Sequence, residues 1–153
     1  MKICKAGIHD FLEIAALDRV AWEENDHHDF IPDGEHVWRI WVEHALVYCA
    51  KDERGRIIGA ILSFPGIDNI YCVHKVFVGK EERKKGIASA LFMGLLREID
   101  KISVDCFLTV DPVNKEAIRV YDRFGFHEKV FIKGYYRSNE DRFVLTRRQK
   151  SSI

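Results

Sequence analysis

With 153 residues, 47% of them apolar, and 24 Lys and Arg against 24 Asp and Glu, the chain is long enough to bury one core and carries no formal net charge. That balance excludes a global field drawing nucleic acid or anionic lipid, and no apolar run reaches the roughly 18 residues that a membrane-spanning helix needs. The opening MKICKAGIHDF has no apolar signal core, so a cytoplasmic location is expected. Cys4, Cys49, Cys72 and Cys106 lie apart inside apolar runs without a CxxC; they read as buried free thiols in a reducing compartment, not as a zinc or redox centre.

A short strand over 2–6 precedes a helix in which Phe11, Ile14, Ala15, Leu17 and Ala21 recur at helical spacing. A second helix is predicted in DGEHVWRIWVEH, with Val37, Trp38 and Trp41 on its apolar face. The tryptophans, Trp22 included, read as helix packing, since no basic stripe accompanies them. Three strands follow, ALVYCAKD, IIGAILSFPG and NIYCVHKVFV, joined by turns at ERG and IDN as an antiparallel meander. The last is apolar on both faces except at His74 and Lys75, which predicts a central strand.

After Gly86 the period changes, with Leu91, Phe92, Leu95, Leu96 and Ile99 three and four apart. A strand VDCFLTV, a helix NKEAIRVYDRF stopped by Gly125, and a closing pair FHEKVFIKGYY and DRFVLTRR complete the chain. Strand, helix, strand in the middle predicts a parallel pair. The expectation is one α/β domain of the α+β mixed-sheet kind over 1–147, with a polar tail over 148–153.

RKKGIA, residues 83–88, joins a strand to a helix. Helix N-termini expose unpartnered N–H groups at the positive end of the macrodipole, so a glycine there lets an anion, phosphate above all, touch them. The alternative is a solvated turn. Neither GxxxxGK[ST] nor GxGxxG is present.

VHKVFVGKEERKKGIASALFMGLL resembles the acetyl-CoA-binding motif of the GCN5-related N-acetyltransferases, Gln/Arg-x-x-Gly-x-Gly/Ala after a hydrophobic strand, met here by Arg83, Gly86 and Ala88. NKEAIRVYDRFGF resembles that family's second signature, met by Asn114, Tyr121, Gly125 and Phe126. The resemblance implies the GNAT-like acyl-CoA N-acyltransferase fold, a central splayed mixed sheet flanked by helices. It implies that the strand with Val76, Phe77 and Val78 splays from the one with Leu108 and Val110. The pantetheine arm would pair with the main chain at Val76 and Val78, and the pyrophosphate would sit at Arg83, Lys84, Lys85, Gly86, Ile87, Ala88 and Ser89. Acetyl-CoA would be the donor, with CoA as product and a small-molecule or protein amine as acceptor. Dimers occur among similar enzymes, and the resemblance involves no nucleic acid, membrane or metal.

Acyl transfer to an amine needs a proton donor for the leaving thiolate. A phenol titrating near 10 is protonated at neutral pH, and the resemblance gives Tyr121 this role; the alternative is core packing with a satisfied hydroxyl. Asn114 follows Asp111 and Pro112 and reads as an N-cap; the resemblance adds a part in ordering the cofactor. His74 stands where many similar enzymes carry a glutamate base, and an imidazole could serve there. The run Glu23, Glu24, Asp26, His27, His28, Asp29, Asp33 and Glu35 either greets a cationic amine or is a solvated loop. Tyr135 and Tyr136 suit either the acceptor side or an edge or dimer surface. No cysteine sits in a nucleophile arrangement, so direct attack by the amine is expected. The alternative function is a non-catalytic acyl-CoA-binding or sensing module.

Overall fold

Two-residue alternation and three-to-four spacing divide the chain as its sequence predicts. The computed structural model describes residues 1–24 and 31–150, in the order β1 (Lys2–Lys5), α1 (Phe11–Glu23), α2 (Glu35–His44), β2 (Leu46–Lys51), β3 (Ile57–Pro65), β4 (Tyr71–Val78), α3 (Ile87–Ile102), β5 (Cys106–Val110), α4 (Lys115–Arg123), β6 (Glu128–Ile132) and β7 (Arg142–Arg147). A short 3-10 turn over Lys80–Glu82 precedes α3. No described helix is long and apolar enough to cross a membrane.

The chain forms two compact units that divide within β4 and near the end of α3. One holds residues 1–64 and 75–98, the other 65–74 and the chain from 99 onward. In the first, the strand order is β1-β2-β3-β4, with β1 and β2 antiparallel from Lys2↔Lys51 to Lys5↔Tyr48 and β2 and β3 antiparallel from Leu46↔Ser63. Ile14, Ala15 and Ala21 of α1 and Trp38 and Val42 of α2 are buried in one cluster with Val47, Cys49, Ala60, Leu62 and Phe77. Each large side chain taken from water there contributes about 1.5–3 kcal/mol. Trp38 meets Trp41 edge-on at 5.3 Å and Phe77 at 5.9 Å, so these tryptophans are packing residues, as predicted. Leu91, Phe92, Leu95 and Leu96 form the buried stripe of α3.

In the second unit the order is β4-β5-β7-β6. β4 runs parallel to β5 through Tyr71↔Cys106 and Cys72↔Phe107, as a strand-helix-strand connection requires, while β5 with β7 and β6 with β7 are antiparallel. Cys106, Leu108, Val110, Phe126 and Leu145 are buried. Arg147 is buried too, and its guanidinium grips both Asp100 oxygens at 2.8 and 3.2 Å and donates to the Phe124 carbonyl at 2.9 Å. That grip holds the Asp100 carboxyl below its ordinary range.

The closing hairpin departs from expectation. The strand predicted to run through Tyr135 and Tyr136 ends at Ile132. Gly134 takes φ 62 and donates its N–H to Asp141 at 2.8 Å, which bends the chain before the tyrosines. Both therefore stand in the connection and not in the ladder.

Candidate functional site

The anion-cradle candidate belongs to the first unit. Gly86 accepts the first intrahelical bond of α3 from Ala90 at 3.1 Å, so it occupies the N-cap position and the amides of Ile87, Ala88 and Ser89 have no partner within the helix. Lys84 at φ 65 and Gly86 at φ 78 both adopt left-handed backbone, which turns the chain sharply into α3. Nothing lies within 4 Å of where a Cβ on Gly86 would stand. The first turn of α3 holds no acidic residue that would compete with a bound anion. These features fit a diphosphate.

Two of the loop's three cations are already paired within the protein at its surface. Arg83 donates Nε to the Val78 carbonyl at 3.2 Å and lies 3.7 Å from the Glu24 carboxylate, while Lys85 pairs with Glu82 at 3.0 Å. The sequence reading weighed these charges only along the chain and missed that Arg83 reaches the C-terminal end of α1. On β4, Val76 and Val78 are half-buried and His74 is exposed. Phe77 buries its ring against Trp38.

Beneath β4 lies a charge cluster that the sequence reading overlooked. Lys75 places its ammonium 3.0 Å from both oxygens of Asp18, 2.8 Å from Asp33 and 3.2 Å from the Ile31 carbonyl. Asp18 also accepts from the Asp33 amide at 2.9 Å and the Trp38 indole at 3.2 Å. The Asp18 side chain is 0% exposed and that of Lys75 8%, so this is a buried ion cluster tying α1, β4 and the entry to α2 together. A signal was present: Asp18 interrupts the apolar stripe of α1, and Lys75 an apolar strand. Of the acidic run, Asp33 belongs to this cluster, Glu24 ends α1 and Glu35 sits 3.9 Å from Arg19. Asp26, His27, His28 and Asp29 lie outside the described residues.

The proton-donor candidate belongs to the second unit, where the geometry explains its motif. Asn114 caps α4 by accepting from the Ala117 amide at 3.2 Å. At the other end Phe126 N–H donates to the Tyr121 carbonyl at 3.1 Å and Gly125 N–H to the Asp122 carbonyl at 3.0 Å, with Gly125 at φ 100. This is a Schellman cap, in which the Tyr121 and Phe126 rings meet edge-on at 6.3 Å. The spacing Tyr-x-x-x-Gly-Phe is thus a helix stop that also sets where Tyr121 stands. Burial pushes the Tyr121 hydroxyl above the ordinary phenol range, so it keeps its proton at neutral pH.

Also in this unit, the Tyr136 hydroxyl is 2.7 Å from Thr109 Oγ1, its ring lies 5.1 Å from the Arg142 guanidinium, and Tyr135 meets it edge-on at 4.7 Å. Burial, with Tyr136 and Cys72 nearby, pushes the Tyr135 hydroxyl up. Thr109 is an addition that the sequence reading did not single out.

The acetyltransferase (GNAT) family model matches residues 9–126. Over 155 aligned residues the chain is 24% identical to the N-alpha-acetyltransferase of Saccharolobus solfataricus, covering 93% of this chain and 89% of that one. The fold is similar to that of the ribosomal-protein-S18-alanine N-acetyltransferase of Escherichia coli, with a TM-score of 0.79, 20% identity, and 99% of this chain and 96% of that chain covered. It is also similar to diaminobutyrate acetyltransferase of Paenibacillus lautus, whose structure holds its substrate and coenzyme A, with a TM-score of 0.70, 20% identity and coverage of 94% and 93%.

Proposed function

Because the chain belongs to the acetyltransferase (GNAT) family, we propose that it is an acetyl-CoA-dependent N-acetyltransferase whose acceptor is the α-amine of a polypeptide N-terminus. The observation that carries the reading is the Lys84–Gly86 turn, whose left-handed backbone opens α3 onto a first turn without acids. Acetyl-CoA supplies the activated thioester carbonyl. The amides of Ile87, Ala88 and Ser89 hold the diphosphate, and the main chain of Val76 and Val78 lies along the acyl arm. The Val78 carbonyl keeps one lone pair for that contact, its other being engaged by Arg83. Tyr121, kept protonated by burial, donates to the departing sulfur.

The acceptor class is supported by the name of the Saccharolobus relative and by chemistry. Deprotonating a lysine-like amine at pH 7 costs about 4.6 kcal/mol, an α-amine about 1 kcal/mol. For an α-amine a weak base suffices, and His74 is the base candidate.

A thiol-release assay tests the proposal, with acetyl-CoA and a panel of peptide α-amines, ε-blocked and α-blocked lysines and small diamines across pH. Release that depends on a free α-amine is expected. Equal release without any amine, or none with all of them, removes the reading, and release with diamines alone moves the acceptor to small molecules. Tyr121→Phe is expected to lower kcat about 100-fold or more while the Kd for acetyl-CoA is unchanged. Wild-type turnover would remove the acid assignment.

A further inference from the structure

Among the four thiols, register singles out one pair. Cys4 of β1 stands directly opposite Cys49 of β2, and their sulfurs are 3.9 Å apart although 45 positions separate them in sequence. The bond from Ala6 N–H to the Val47 carbonyl at 2.8 Å sets the phase of this ladder, so Cys4 and Cys49 form a hydrogen-bonded pair. Such pairs have a Cα separation of about 5.5 Å, inside the window of roughly 4.4–6.8 Å that a disulfide spans. Cys72 and Cys106 also lie on neighbouring strands, but Cys106 faces Tyr71, so alternation puts the two thiols on opposite sides of the sheet.

We infer that Cys4 and Cys49 are a thiol-disulfide modification site, which small-molecule disulfides of the glutathione class convert into a reversible cross-link between β1 and β2. This goes beyond the proposed transferase activity and does not depend on it. Access sets the order of events, for Cys4 is half-buried and Cys49 is 0% exposed. The Cys4 thiolate attacks one sulfur of the oxidant and expels one glutathione thiolate. Cys49 then loses its proton and attacks Cys4 Sγ, and the second glutathione thiolate departs. Two protein thiols and one small disulfide thus become one protein disulfide and two small thiols.

The second step is slowed but not blocked. Burial, and Cys4 beside it, push the Cys49 thiol up to about 12. Its thiolate is therefore scarcer than an ordinary thiol's at neutral pH, its greater basicity restores part of the nucleophilicity, and proximity offsets the rest, since well-oriented neighbouring groups reach effective molarities of about 10⁵ M or more. A dithiol reverses the cross-link by the same exchange run backward.

The test incubates the reduced full chain with oxidised glutathione and reads intact mass, thiols titrated after denaturation, and peptide linkage. Wild type is expected to lose two hydrogens and two titratable thiols, to link the peptides holding Cys4 and Cys49, to gain several degrees in Tm, and to revert with a dithiol. Cys49→Ser should stop at one glutathione on Cys4, and Cys4→Ser should leave Cys49 free. Four thiols still titrating in oxidised wild type, a glutathione adduct that never closes, or a link between other cysteines would each overturn the inference. None of these readouts uses acetyl-CoA, so their failure is distinct from failure of the transferase reading.

Discussion

The Arg83–Ala88 loop and the Asp18–Lys75–Asp33 cluster both concentrate charge in the first unit, and they solve opposite problems. At the loop, lysines are exposed, two backbone residues are left-handed, and the opening amides of α3 lack helical partners. In the cluster one ammonium meets two carboxylates and a carbonyl, and Asp18 accepts from three different residues. Exposed charge of the first kind adds little to folding and is available to a guest. Buried charge of the second kind has given up water, so its mutual bonds must replace hydration, and removing one partner leaves the others stranded.

The sharpest way to break this contrast is Lys75→Met. It leaves two carboxylates facing an apolar side chain and is expected to lower the unfolding free energy by about 3–5 kcal/mol in urea titration. The double variant Asp18→Asn/Lys75→Met should recover part of that loss, because a neutral amide needs no counter-ion. If Lys75→Met unfolds like wild type, the cluster is not a structural tie. Gly86→Glu comes next and should act on binding instead of folding. Steric bulk and a like charge at the cradle are expected to remove about 1.5–3 kcal/mol of cofactor affinity, a ten- to hundred-fold rise in Kd by calorimetry. Wild-type affinity there would defeat the cradle. The smallest effect belongs to Lys85→Ala, because Lys85 already pairs with Glu82 on the surface. A change of up to about 1 kcal/mol is expected, fading as salt rises. A larger, salt-insensitive loss would mean that Lys85 is buried against the ligand.

The pH profile separates the second unit's acid from the solvent. Burial raises the Tyr121 hydroxyl, so it holds its proton at neutral pH and its midpoint of loss lies above the ordinary phenol range. Turnover should therefore show no loss from this group near neutral pH, only one more alkaline than a free phenol would give. A decline centred near 7 that Tyr121→Phe abolishes would contradict the assignment.

Element order, helix faces and the glycine junction were legible because each depends on neighbours within a few positions. The period changes from two to 3.6 at Gly86, and the stripe Leu91, Phe92, Leu95, Leu96 and Ile99 is buried as its spacing requires. The Tyr-x-x-x-Gly-Phe pattern was legible as a signature, yet its reason, a left-handed Gly125 closing a Schellman cap, emerged only with the backbone. The ends of β6 were misjudged because Gly134 and Asp141, seven residues apart, make the turn together.

Local sequence thus determined which segments are strands and helices, where α3 presents its amides, and which tyrosine ends α4 beside a glycine. Pairing across long separations was decided by tertiary structure alone: Lys75 with Asp18, 57 positions away, Arg147 with Asp100, and Cys4 with Cys49. The reason is that periodicity and turn chemistry act through bonds and a few adjacent residues, whereas the partner of a buried charge or thiol is set by strand register and helix docking, which leave only scattered marks in the order of residues.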